Sequence, residues 1–142
     1  MQITLATVSD YASVDSQGKL SVMGLFDVLG AASFPVTHPQ LFLCLRIQCR
    51  PIEVGTQHKF RVVLQDPDGS QLLPPIEGEF TVPPSNIPGS PYSHVQVALG
   101  AVGVIFHKSG SHSFEIALNS DHKTSVPLQV VQVKSPALPP GT

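Results

Sequence analysis

The run Leu41-Phe42-Leu43-Cys44-Leu45-Arg46-Ile47-Gln48-Cys49-Arg50 places Leu41, Leu43, Leu45, Ile47 and Cys49 on alternate positions, with Phe42, Cys44, Arg46, Gln48 and Arg50 between them. A period of two marks a strand with one dry face and one wet face. The pattern returns as Phe60-x-Val62-x-Leu64, Val95-x-Val97-x-Leu99, Phe114-x-Ile116-x-Leu118 and Val126-x-Leu128-x-Val130. No comparable stretch carries a helical period. The fold class expected is all-β, a two-sheet antiparallel β-sandwich of about eight or nine strands. An immunoglobulin-like Greek key and a C2-like or jelly-roll order both satisfy the pattern.

Outward from that strand, the turn chemistry divides the chain. Asp15-Ser16-Gln17-Gly18 and Asp66-Pro67-Asp68-Gly69 read as tight turns with glycine available for positive φ. Gln2–Val8 and Lys19–Leu29 form an expected N-terminal hairpin. Its second arm is apolar on both faces, which predicts cover on two sides or a bend near Gly24. Phe34-Pro35 through His38-Pro39 reads as a connection. His58–Gln65, Glu77–Val82, His94–Leu99 and a short Val102–Phe106 follow as strands. Ser111–Leu118 and Thr124–Val133 read as a closing hairpin. Pro83–Ser93, with its four prolines, is a long irregular loop. The expected organisation is one sandwich domain over 1–134 and a Pro-rich tail over 135–142.

The chain has 142 residues, 8 basic and 10 acidic side chains and a formal charge of -2. Its cations are scattered, without the basic stripe of a nucleic-acid binder. The nearest approach to a patch would be Arg46, Arg50, Lys59 and Arg61 on one face of a hairpin. Cys44 and Cys49 are five apart on one strand and so face opposite sides, where they cannot bridge without breaking it. Free thiols fit a reducing compartment. No basic segment leads into an apolar block, and no apolar run is long enough to cross a bilayer, so a cytoplasmic location and no membrane partner are expected.

Several motifs carry a resemblance. They are Asp10-Tyr11-Ala12, Gly18-Lys19-Leu20-x-Val22-x-Gly24-x-Phe26-Asp27, Phe34-Pro35-x-x-His38-Pro39, Asp66-Pro67-Asp68-Gly69 and Val126-Pro127-Leu128-x-Val130. Across nearly the whole chain they resemble an uncharacterised family of small bacterial all-β proteins, a domain of unknown function. That resemblance implies a β-sandwich and assigns no activity. Gly110-Ser111-His112-Ser113-Phe114-Glu115-Ile116 is also similar to the penultimate strand of immunoglobulin-like and fibronectin-like domains.

Catalytic and metal chemistry is thin. His94, His107 and His112 lack a Cys or carboxylate at ligand spacing for zinc. Asp66 and Asp68, with Asp121 or Asp15, fall short of the oxygens calcium needs and read as turn residues. No G-x-S-x-G motif occurs, and Cys44 reads as packing. Asp10 or Asp27 is expected to accept backbone N–H groups at a turn or bulge. These features predict no enzyme, no cofactor and no metal. The expected role is a non-enzymatic protein-binding or assembly module whose loops and sheet edges meet a protein partner or a second copy. Candidate contact residues are Asn86, Ile87, Pro88, Pro91, Tyr92 and Tyr11. A small-ligand, carbohydrate or metal-binding sandwich is the alternative.

Overall fold

The computed structural model describes residues 1–85 and 87–134. Asn86 and the tail 135–142 lie outside the described residues. Nine strands follow one another: β1 (Gln2–Val14), β2 (Leu20–Phe26), β3 (Val28–Ala31), β4 (Val36–Cys49), β5 (Gln57–Gln65), β6 (Ile76–Thr81), β7 (Ser93–Phe106), β8 (Gly110–Leu118) and β9 (Asp121–Gln132). One sheet has the order β2-β1-β4-β7 and the other β3-β9-β8-β5-β6. Only β1–β2, β5–β6 and β8–β9 are hairpins within a sheet; every other connection crosses from one sheet to the other. Among the described residues no helix is long and apolar enough to cross a membrane.

The alternating runs build the interior. Leu41, Leu43, Leu45, Ile47 and Cys49 face Val62, Leu64, Phe114, Ile116, Leu118, Leu128 and Val130, all buried in one cluster. Each large apolar side chain removed from water contributes roughly 1.5–3 kcal/mol, so this face dictates the register of both sheets.

Four local expectations change. The stretch Lys19–Leu29 is two strands. Asp27 ends β2, its carbonyl accepts from Gln129 N at 2.8 Å, and Val28–Ala31 joins the opposite sheet, parallel to β9. Every other pair of these strands is antiparallel, and this one parallel strand pair arises because the chain has just crossed between layers. Next, β4 starts at Val36, so His38-Pro39 lies inside a strand. Pro39 falls opposite Gly103, where both strands skip a ladder partner, so the missing N–H breaks no bond. Third, the two strands expected over His94–Leu99 and Val102–Phe106 are one, Ser93–Phe106. Fourth, β4 and β5 lie in different sheets, which separates Arg46 and Arg50 from Lys59 and Arg61.

The β4–β7 ladder keeps one register over its whole length, yet its inward parity inverts. Odd positions face the core from Leu41 to Cys49, whereas Val104 and Phe106 are the buried residues at the other end of β7 and Val36 packs beside them. The inversion falls at Gly103, whose φ of +68 reverses the pleat without an inserted residue.

The outer face of the first sheet is also drier than alternation implies. Ser9, Ala12 and Cys44 are buried although Ala12 and Cys44 stand outside the inter-sheet cluster. Gly24, at φ +70, carries the Asp10 carboxylate against its Cα, and Gln96 Nε2 on β7 donates to Gly18 O at 2.6 Å. In a flat sheet that turn would stand two strands away. The N-terminal hairpin therefore folds across the sheet and covers its centre. Both thiols are free and buried; burial raises the Cys44 and Cys49 pKa values, which makes them poor nucleophiles.

Candidate partner-binding surfaces

The loop between β6 and β7 builds a groove at one end of the sandwich. Val82 anchors its start, bridging to Val54 and accepting from Gly55 N at 3.0 Å. Ile87-Pro88-Gly89-Ser90 closes a turn with Ser90 N donating to Ile87 O at 3.1 Å and Gly89 at φ +78. Proline then glycine at those central places is the type II pattern. Ser90 Oγ donates to Tyr92 O at 3.1 Å and holds the exit into β7. Beneath the loop lies a groove of about 390 Å³ floored by Pro51 and Val54, and none of its lining residues is charged. Ile87 is 70% exposed and Ile52, on the 3₁₀ turn Pro51–Glu53, is 81% exposed. Tyr92 also borders a second cleft with Gln2, Gln48 and Arg50.

Ile87, Pro88, Pro91 and Tyr92 thus share one groove. Tyr11 does not join them. It packs edge-on against Phe42 at 5.2 Å, seven positions along β4 from the Cys49–Ser93 pair beside the groove. Asn86 lies outside the described residues.

The floor of this end is pinned by a polar network around the buried His58 ring. Asn119 Oδ1 accepts from Lys59 N at 2.9 Å, which orients its amide so that Nδ2 donates to His58 Nδ1 at 3.0 Å. The ring proton therefore sits on Nε2, 2.9 Å from Glu53 O. Asn119 holds φ +51 at the β8–β9 turn, a conformation that asparagine tolerates. Glu53 caps the 3₁₀ turn. Partial burial opposes its ionisation, but Arg50 N at 2.8 Å, the Met1 amine and the Arg50 side chain outweigh this and hold the carboxyl below its usual range.

Other charged groups are committed elsewhere. Asp66 Oδ1 accepts from Asp68 N and Ser70 N, and Lys108 bonds Asp68. Asp15 serves its own turn in the same way, and Asp121 pairs with Lys123. Neither the Asp10 nor the Asp27 carboxylate accepts a backbone N–H among the described residues; Asp10 rests on Gly24 instead. His94 and His107 stand at opposite ends of β7, while His112 is buried, 5.3 Å from Phe106, so the three do not converge. Among the described residues no three His, Cys, Asp or Glu side chains are grouped to hold a metal ion. A wider hollow of about 650 Å³ on β5–β6 is lined by Lys59, Arg61, Glu77 and Glu79; Arg61 pairs with Glu77 at 3.4 Å, and Glu79 accepts from Gln57 Nε2 at 2.6 Å.

Among known families, one described as a family of unknown function, DUF6941, matches residues 4–131. The chain belongs to that family. The match runs from β1 through β9 and takes in the groove. No curated protein matches the chain.

Two features of this DUF6941 member lay beyond the sequence reading. Ile52 sits in a short turn with no periodic signal. Ser113, Glu115, His122 and Ser125 converge only through the β8–β9 register, in which Glu115 faces Ser125. His122 Nε2 lies 2.8 Å from Glu115 and 3.5 Å from Ser125. One ring nitrogen serves both partners, so the ring cannot relay a proton between them. Partial burial opposes ionisation of Glu115, but hydrogen bonds from Ser125, His122 and Ser113 outweigh it and depress its pKa. A depressed carboxylate contributes stability above its unfolded pKa of about 4.3, and that contribution disappears as pH falls through the folded value. Glu115→Gln is expected to cost about 1 kcal/mol at pH 7 and markedly less at pH 3, read by urea denaturation at both. An equal loss at both would exclude a role for the ionised form.

Proposed function

We propose that the protein is a non-enzymatic protein-binding module that receives a partner segment in the groove under the β6–β7 loop. The supporting observation is the conjunction of an uncharged groove with Ile52, Ile87 and Tyr92 exposed around it. Large apolar side chains grouped on a surface mark interaction sites, and loops on a rigid β-scaffold are where such sites sit. Pro88 and Pro91 limit the loop's freedom, which lowers the ordering cost of binding. The test is cross-linking in the native host with wild type and with the double variant Ile87→Ser/Tyr92→Ala. The expected result is a discrete partner with wild type that is lost with the variant. Identical adducts from both proteins would remove the groove from the reading.

A second reading rests on size. A volume of about 390 Å³ falls within the range of small-molecule pockets. A thermal-shift screen with sugars and divalent metals separates the two, because only the small-ligand reading expects a saturable rise in Tm that Tyr92→Ala abolishes.

A further inference from the structure

Pro51, Pro84, Pro88 and Pro91 line the groove under the β6–β7 loop, with Tyr92 beside them and no charged residue among the described lining. Grooves walled by aromatic and apolar side chains take proline-rich segments, whose restricted backbone loses little freedom on docking. The chain itself holds a segment of that chemistry. Ser135-Pro136-Ala137-Leu138-Pro139-Pro140-Gly141-Thr142 has three prolines, one large apolar side chain and no Asp, Glu, Lys, Arg or His. The strand before it fixes where it starts. Asp121 pairs with Leu118, next to the Asn119–His58 network at the groove end, and β9 runs from there to Gln132 beside Ala31. Val133 N then donates to Ala31 O at 2.9 Å. The 12 residues of β9 carry the chain about 35 Å from the groove end, at about 3.3 Å per residue.

We propose that Pro136-Ala137-Leu138-Pro139-Pro140 of one copy docks in the groove of a second copy. This rests on the reading that the groove receives a partner segment, and it names the segment. Reach decides between a copy's own groove and another's. Fully extended, the path from Val133 to Leu138 covers at most about 18 Å, and to Pro140 about 25 Å. Both fall short of the way back along β9, so the segment meets a groove only on a neighbouring molecule. Leu138 supplies the apolar anchor beside Ile87, and the prolines stack against Tyr92. No charge on either side has to leave water, which is where a charged peptide would lose affinity. The contact is far smaller than a standard protein–protein interface and belongs with weak, transient ones. Its dissociation constant is expected on the order of 100 μM. The two surfaces in contact differ, so the association is heterologous, each copy offering one segment and one groove.

Two measurements test this. In sedimentation velocity from about 10 μM to about 1 mM, a range that brackets the expected dissociation, the mean mass of wild type should rise above that of one copy. Leu138→Asp, which spoils the segment, and Ile87→Ser/Tyr92→Ala, which spoils the groove, should each stay single. An equimolar mixture of the two should form one-to-one pairs, because one supplies an intact groove and the other an intact segment. A single-copy wild type at the top concentration, a variant that associates as wild type does, or a mixture that stays single would overturn the proposal. The second measurement does not depend on the groove variant folding. An acetylated, amidated peptide of residues 133–142 is titrated into isotope-labelled Leu138→Asp protein, to about 2 mM. Saturable amide shifts are expected at 51–54 and 87–93; none, or shifts elsewhere, would overturn the proposal. If the peptide fails while the host adduct is still lost in Ile87→Ser/Tyr92→Ala, this inference falls and the groove reading stands. Failure of the peptide together with identical adducts takes down both.

Discussion

Phe106→Ala is expected to destabilise the protein by about 3–5 kcal/mol, whereas Ile105→Ala, one position away, should cost less than about 1 kcal/mol. Phe106 is fully buried against His112, and Ile105 is 44% exposed. Truncation removes the ring's transfer energy and leaves a cavity that the surrounding strands fill only in part. It also strips the packing from beside His112 Nε2, a buried nitrogen without a hydrogen-bond partner among the described residues. Total stability for a domain of this size is about 5–15 kcal/mol, so the loss is a large fraction of the whole. The comparison matters more than either number. Continuing the odd-inward alternation of Val95, Val97 and Leu99 would bury residue 105 and expose residue 106. Urea denaturation of the two variants therefore reads the pleat inversion at Gly103 directly, and the reverse ranking would sink it.

The second large effect is expected from His58→Ala, at about 2–3 kcal/mol. The substitution removes the ring's bonds to Glu53 O and Asn119 Nδ2 and its contact with Phe80 at 5.7 Å. The loss combines the half-buried bonds with the packing of a buried ring, since Glu53 O keeps the Thr56 hydroxyl at 3.1 Å. Asn119→Gly should cost less, because glycine keeps the φ of +51 while losing the side-chain bonds. The double variant should cost clearly less than the two single losses added, because both substitutions break the same bond. Glu53 closes the 3₁₀ turn whose Pro51 floors the groove, so His58→Ala should also speed amide exchange in 51–56. A strictly additive cycle would mean that His58 and Asn119 are not coupled.

The polar clusters and the uncharged groove occupy different parts of the molecule. The carboxylates of the Asp66–Gly69 turn and of Glu115 are tied to neighbours that hold turns and strands together. The groove has no charged residue among its described lining, and Ile87 and Tyr92 are exposed beside it. This division motivates the assembly reading over a chemical one.

The periodic segments disclosed the sandwich because alternation is a local property: Leu43, Val62 and Ile116 each announce an inward face from two or three neighbours, and all three are buried. The Asp66–Gly69 turn and the loop after Val82 were legible for the same reason, since proline, glycine and aspartate constrain their own backbone. Where alternation met a long-range event, it misled. Alternation puts Cys44 on the outer face of β4 although its residue type reads as packing, and it is fully buried beneath the N-terminal hairpin, with Sγ 3.5 Å from Ser9 Oγ. Continued alternation would turn Phe106 outward, and only the pleat inversion at Gly103, in a ladder that keeps its register, turns it in. Tyr11 and Tyr92 look equivalent in the chain, and only the tertiary structure sets Tyr11 against Phe42 in the middle of β4 and Tyr92 beyond its Cys49 end. Local sequence determines which residues must leave water; the pairing of segments dozens of positions apart decides which face of each strand they leave it by, because burial is a property of the neighbour brought alongside.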